Sequence, residues 1–214
     1  MHTVDIHKYL LQDIDNPEAT SLLAENALLK QCIEITQRHV HELLNKVING
    51  TDIALFAQVA IHHELTKMQK IHATRRRLQL HRYEFIDQYE KEMLMSFIPA
   101  LWNDYAPVAG WRVRGHDLKH LISQQRENFL AELKAIGNAL PAILNIEKID
   151  HHLNPFDPGK LYMLFLKCLG EVQLDFWVEE MMLRRFHEVL CWNLGSLYAE
   201  INEKLSYHSA LSFK

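Results

Sequence analysis

Apolar residues recur every three, four or seven positions along nearly the whole chain, which is the periodicity of amphipathic helices. A first short helix is predicted over Val4–Ile14, where Asn16 and Pro17 stop it. The next is predicted over Glu18–Asn49, with a buried stripe formed by Leu29, Ile33, Val40, Leu43, Leu44 and Val47. Gly50 is predicted to end this helix and Thr51 to cap a separate helix over Thr51–Ile61.

Between Thr51 and Ile98 there is neither glycine nor proline. A long central helix is therefore predicted over His62–Trp102, kinked near Pro99. Its buried stripe would consist of Ile71, Leu78, Phe85, Tyr89, Met93 and Phe97. The stretch Asn103–Gly115 contains Pro107 and Gly110 and is predicted to be a loop.

Three further helices are predicted in the C-terminal half. The first covers Asp117–Leu140 and is interrupted by Pro141. In the second, Asp157 caps the helix and Pro158 occupies its first position, where a missing N–H costs nothing. The third covers Leu174–Leu205. The pattern indicates an all-α bundle of six or seven helices, in one domain spanning residues 1–214, with residues 1–16 as a peripheral N-terminal helix.

Composition narrows the function classes. The chain has 214 residues and a formal net charge of −4, so as a whole it is not a polycation suited to nucleic acid or membrane surfaces. No apolar run is long enough to span a membrane. The three cysteines form no C-x-x-C pair, which favours a reduced, cytoplasmic setting. No nucleotide-binding loop or nucleophile motif is present, so no catalytic residue and no cofactor are predicted.

The 14 histidines raise the question of a metal site. His116 and His120 have the i, i+4 spacing of two ligands on one helix, but a third ligand is not evident. The pair His116-Asp117 also resembles that of the metal-dependent phosphohydrolases, with His81 and Asp150 as further candidate ligands. Asp117 is equally explained as a residue favoured at a helix start. A metal-dependent hydrolase is therefore the alternative hypothesis for the function and not the preferred one.

Basic residues provide the main candidate binding surface. Six of them lie within residues 67–82, and acidic residues follow directly within residues 84–92. The first half of this stretch is therefore basic and the second half acidic. The interaction hypothesis combines part of this cluster with a Trp-Arg loop, and its candidate residues are Lys70, Arg75, Arg76, Arg77, Arg82, Trp111, Arg112 and Arg114. Such a strip suits an acidic protein partner; nucleic acid or a nucleotide bound through Arg75–Arg77 is the less favoured alternative. A solvated helix face explains the same charges without any partner.

Two groups of residues resemble a bacterial domain-of-unknown-function family, number 1631. In the first half these are Asp52, Ala54, Leu55, Phe56, Ala60, Met68, Arg75, Arg77 and Phe85. In the second half, an N-P-x-x-P element is matched by Asn154, Pro155 and Pro158. A later stretch that contains L-G-x-L-Y-x-x-x-N is matched by Phe186, Leu194, Gly195, Leu197, Tyr198, Asn202 and Leu205. The resemblance implies a short bacterial cytoplasmic member and supplies no catalytic residues. The resulting hypothesis is a non-enzymatic adaptor, regulator or accessory subunit of a bacterial complex, in secretion or signalling.

Overall fold

A computed structural model describes residues 26–61, 64–98, 112–113, 115–150 and 153–212. These residues form an all-α helical bundle, as predicted, together with one very short antiparallel ladder. The elements in chain order are α1 Ala27–Ile61, α2 Leu65–Leu80, α3 Arg82–Met95, β1 Arg112–Val113, β2 His116–Asp117, α4 Leu118–Asn128, α5 Leu130–Leu144, α6 Pro158–Glu171 and α7 Phe176–Ser212. None of the described helices combines the length and apolar composition needed to cross a bilayer.

The two longest helices, α1 and α7, run antiparallel along one another. Arg38 and His39 near the start of α1 both bind Glu200 late in α7, with His39 Nε2 at 3.0 Å from the carboxylate. Further along, Gly50 lies beside the side chain of Arg185. All six residues of the predicted α1 stripe are buried, which confirms that part of the pattern. The remaining helices pack around this pair because their own apolar stripes need cover.

Aromatic side chains from three helices meet at the centre of the core. Phe186 of α7 stacks on Phe165 of α6 with ring centroids 4.0 Å apart, and contacts Tyr162 and Tyr89 edge-on or tilted at 5.3 and 6.3 Å. The Tyr89 hydroxyl donates to the carbonyl of Leu161 at 3.0 Å. Since these rings are nearly inaccessible to solvent, they fix how α3, α6 and α7 sit against one another.

The predicted helix end at Gly50 is wrong, because α1 continues through Gly50 and Thr51 to Ile61. Ile48, Thr51 and Leu55 are all inaccessible to solvent, so the buried stripe does not stop at the glycine. A glycine inside a helix lowers helix stability by about 1 kcal/mol, which is less than burial of the Ile48 and Leu55 side chains contributes. Thr51 is therefore a core residue rather than a cap, and its hydroxyl has no hydrogen-bond partner among the described residues.

Replacing Thr51 with valine is expected to raise the free energy of unfolding by about 1 kcal/mol, because the change removes a buried hydroxyl that is not hydrogen-bonded. Thr36 is the matched control. It is buried in the same helix, but its hydroxyl donates to the Cys32 carbonyl at 2.7 Å. Urea unfolding of both variants measures the difference. A Thr51→Val protein that is no more stable than Thr36→Val would contradict this account.

The predicted long helix over His62–Trp102 is also wrong in its limits. Its stripe is confirmed, since all six residues are buried. However, His81 takes φ −91° and ψ 4°, which separates α2 from α3, and residues 96–98 leave the helix after Met95. The bend at His81 lets Phe85 meet Phe165 edge-on at 5.6 Å. Pro99 lies outside the described residues.

A third boundary error concerns the helix predicted over Asp117–Leu140. Phe129, with φ −120°, divides it into α4 and α5, and Pro141 lies inside the last turns of α5 rather than ending it. The helix ends instead at Asn145, whose left-handed conformation is a common helix stop. The predicted starts are confirmed: Asp117 and Asp157 each accept a hydrogen bond from the backbone two residues on, and Pro158 opens α6. The predicted helix over Val4–Ile14 lies outside the described residues.

Candidate functional site

Two arginines of the basic cluster tie α2 and α3 to α1. Arg75 donates to both oxygens of Asp52, at 2.8 and 2.9 Å, and its guanidinium carbon lies 4.8 Å from the centre of the Phe56 ring. The hydrogen bond from Arg75 is the main reason that the pKa of Asp52 is lowered. Arg82 donates to the amide oxygens of Asn49, at 3.0 Å, and Asn45. The side chains of these two arginines therefore stabilise the packing of α2 and α3 on α1 and are not free to bind a partner.

Two other members of the cluster face the segment that joins α6 to α7. Lys70 lies 3.4 Å from Asp175, and Arg77 donates to the Gln173 carbonyl at 3.2 Å. Arg76, between them, points away from the core into a shallow open depression that also includes His72 and Leu80. The five basic residues are thus spread over three sides of the α2–α3 segment instead of forming one strip.

The loop candidates are only partly described. Trp111 and Arg114 lie outside the described residues. Arg112 lies in β1 and pairs through its backbone with Asp117 of β2, and Val113 pairs with His116. Gly115 has a positive φ of 82°, which suits the turn between the strands.

An apolar surface that sequence reasoning missed lies on the last turns of α1. Ile53, Phe56 and Ile61 are 68%, 59% and 70% exposed, and Ala57 and Ala60 are exposed between them. The i, i+3, i+4, i+7, i+8 spacing is that of a core-facing stripe, yet this face turns away from buried Thr51 and Leu55. We call it the α1 apolar face. The periodicity of the sequence contains the signal, but it does not show which of two apolar faces the bundle covers.

The described part of the chain provides no third ligand to the weak metal candidates. His116, in β2, and His120, in α4, are both exposed. Within the described residues, no group of three or more His, Cys, Asp or Glu side chains is placed to hold a metal ion. Asp117, the partner of His116 in the hydrolase hypothesis, accepts from Lys119 N at 2.8 Å as the cap of α4. His81, also nominated, has its Nδ1 2.8 Å from Glu84.

A polar cluster between α4, α6 and α7 was not predicted. The Tyr162 hydroxyl and His187 Nδ1 are hydrogen-bonded at 2.5 Å, and Gln125 Nε2 donates to Cys191 Sγ at 3.2 Å. Cys191 Sγ lies 3.7 Å from the same Nδ1. Burial raises the pKa of both the Tyr162 hydroxyl and the Cys191 thiol, so both stay protonated near neutral pH. The thiolate required for nucleophilic attack is thereby disfavoured, although the i, i+4 spacing of His187 and Cys191 is visible in the sequence.

One lysine is buried, which the sequence pattern did not predict. Lys160, in the first turn of α6, is 1% exposed, and burial lowers its pKa to about 8, with the nearby charge of Glu92 opposing that shift. Glu92 itself forms an ion pair with Lys167. Lys160 thus lies near Glu92 and Lys167, where α3 and α6 pack together.

Two histidines of α1 bind carboxylates whose pKa values move in opposite directions. Glu90 is buried and lies 2.7 Å from His41; its pKa is raised, mainly by burial. Glu200 is more exposed, and its pKa is lowered, mainly by the hydrogen bond from His39. A raised acid pKa means that ionisation destabilises the fold as pH rises above about 4.5. A lowered one means that ionisation stabilises it, and that this stabilisation is lost on acidification.

Glutamine substitutions should therefore have opposite effects. Glu90→Gln is expected to be more stable than the parent at pH 7.5, and Glu200→Gln less stable. Both differences should be smaller at pH 4. The Glu90 carboxylate is protonated there because its pKa is raised, whereas the stabilisation from ionised Glu200 is only partly lost because its pKa is lowered. Urea unfolding at the two pH values measures this. Effects of the same sign in the two variants at pH 7.5 would show that burial does not dominate at Glu90.

Residues 117–208 match the model of a family described as "Protein of unknown function (DUF1631) N-terminal domain". The match confirms the resemblance noted from the sequence and contains its second group of residues; the first group, Asp52–Phe85, precedes it. No curated protein and no solved structure was found to match the chain.

Proposed function

We propose that this protein, which carries the DUF1631 N-terminal domain over residues 117–208, is a non-enzymatic interaction protein of a bacterial cytoplasmic complex. It would act as an adaptor, regulator or accessory subunit, in secretion or signalling. The observation that supports this function is the α1 apolar face. Contiguous exposed apolar side chains on a folded protein commonly mark a binding surface.

The chemistry beside this face favours an acidic protein partner. The neighbouring helix α2 carries five Lys or Arg residues and no Asp or Glu. The chain as a whole has more acidic than basic residues. A partner helix with apolar anchors at i, i+3 or i+4 and i+7 and acidic residues beside them would fill the α1 apolar face and complement α2. This refines the basic-strip hypothesis, since apolar contacts would carry the binding and the charges would guide it.

Arg75 is unsuitable for testing this proposal, since its bonds to Asp52 make its removal a test of folding. A photo-cross-linking amino acid at Ile53 is the direct experiment, with the same amino acid at exposed Glu203 of α7 as control. In the native cell, position 53 should form an adduct with a second protein, and position 203 should not. Ala57→Glu should remove the adduct without changing the unfolding transition. Absence of a specific adduct at position 53 would reject the proposal.

Elemental analysis distinguishes the hydrolase alternative from the interaction proposal. Protein purified without an affinity tag should contain metal in stoichiometric amount if His116, Asp117 and His120 belong to a catalytic centre. An interaction protein of the proposed kind should contain none. Stoichiometric zinc, iron or manganese that disappears in His116→Ala would replace the interaction proposal with the enzymatic one.

A further inference from the structure

The outer surface of α2 and α3 carries a self-complementary arrangement of side chains. Arg76 and Asp87 are exposed, and Leu80 and Tyr83 between them are 70% and 80% exposed. The four positions are symmetric about the bond between His81 and Arg82. Two such segments lying antiparallel about that point would place Arg76 of each copy opposite Asp87 of the other, and Leu80 opposite Tyr83.

α2 and α3 follow one another with only His81 between them, so they form one bent rod at this point. The His81 N–H donates to the Arg77 carbonyl at 3.0 Å, and the His81 carbonyl accepts from the Phe85 N–H at 2.9 Å. His81 therefore belongs to the last turn of α2 and to the first turn of α3, so no loop separates the two helices. Arg76 and Asp87 are eleven residues apart, or about 16 Å along a helix axis. Two paired rods would therefore bring the two ion pairs to opposite ends of a central apolar contact.

The charges along the rod support the same pairing. The α2 half carries only basic charges, whereas α3 carries four acidic and two basic residues. Antiparallel pairing brings each basic half against an acidic half, while parallel pairing would oppose like charges. Moreover, Arg76 and Asp87 have no ion-pair partner within the part of the chain that the structure describes, unlike Arg75, Lys70 and Glu84. They are available for an intermolecular contact.

We infer that two copies of this chain form a two-fold symmetric dimer through the outer surface of α2 and α3, centred between His81 and Arg82. The interface is isologous, so each copy contributes the same four side chains, Arg76, Leu80, Tyr83 and Asp87. Because the central contact is exposed and the interface depends on ion pairs, the dimer dissociates on dilution and at high salt. The contact goes beyond the proposed partner binding and uses residues outside the α1 apolar face.

Charge exchange provides the test. Sedimentation equilibrium of the full chain at low ionic strength should show a concentration-dependent shift from the 25.1 kDa monomer to the dimer. Arg76→Glu and Asp87→Arg should each weaken dimerisation by about tenfold or more, because like charges then meet twice across the interface. The double variant should restore it, since both pairs re-form with reversed polarity. Arg184→Glu and Glu203→Arg, matched changes at exposed positions of α7, should leave it unchanged.

Three results would overturn the inference. They are a monomer at all concentrations up to about 1 mM, a dimerisation affinity that Arg76→Glu does not change, and a double variant that does not regain dimerisation. Tyr83→Ser provides a second route that changes no charge and should also weaken the dimer. Ile53→Asp should leave dimerisation intact. A dimer that Ile53→Asp abolishes would instead place a second copy on the α1 apolar face, against both this inference and the proposed partner binding.

Discussion

Replacing Asp157 with alanine is expected to lower the free energy of unfolding by about 3 kcal/mol, the largest effect of a single side chain outside the apolar core. The carboxylate has two structural roles. One oxygen accepts the Gly159 N–H at 2.8 Å and caps α6, and both oxygens accept from Arg126 of α4, at 2.7 and 2.8 Å. Its side chain is 4% exposed, so water cannot replace these bonds.

Asp117 is a matched control for this experiment. It caps α4 in the same way, accepting from Lys119 N at 2.8 Å, but it is exposed and has no arginine partner among the described residues. Asp117→Ala should therefore lose only the cap, about 1 kcal/mol. Asp157→Asn, which retains a capping oxygen, should fall between the two. Urea unfolding with an unchanged m-value gives the comparison. Equal losses in Asp157→Ala and Asp117→Ala would show that the Arg126 pair contributes nothing.

Gly159→Ala is expected to destabilise the protein by about 1–3 kcal/mol, although alanine is the better helix former. A Cβ at this position would lie 2.8 Å from Asp157 Oδ1 and 3.0 Å from Arg126 Nη2. It would therefore displace the same cap and ion pair that Asp157 provides. The effect should be largely absent in an Asp157→Ala background, because the two changes damage one contact.

Gly137 provides the control for this second prediction. It lies within α5, and a Cβ there would meet nothing within 4 Å. Gly137→Ala should raise the free energy of unfolding by about 0.5–1 kcal/mol, through a lower conformational entropy of the unfolded chain. Thermal unfolding of the two variants should shift in opposite directions. A stabilising Gly159→Ala would show that the α4–α6 contact yields more easily than its geometry indicates.

The turn containing Asp157 also gives the N-P-x-x-P resemblance a physical meaning. Asn154 Oδ1 accepts the Phe156 N–H at 2.9 Å, and the Tyr198 hydroxyl donates to the Phe156 carbonyl at 2.8 Å. Together with Arg126 of α4, these bonds hold the start of α6 against α4 and α7. Asn154, Pro158 and Tyr198 of the resemblance thus belong to one structural unit, which lies within the matched segment.

The sequence by itself determined the helical class, the buried stripes and the two aspartate caps. Those features depend on interactions between residues a few positions apart, which the order of side chains specifies directly. It predicted helix ends at Gly50 and Pro141 that the structure does not have, and it missed the break at His81, because a helix continues or bends according to what packs against it. Only the tertiary structure decided that Arg75 binds Asp52 and Arg126 binds Asp157, since these partners are 23 and 31 residues apart. For the same reason it alone decided that Arg76 faces solvent and that, among the described residues, the α1 apolar face is left exposed.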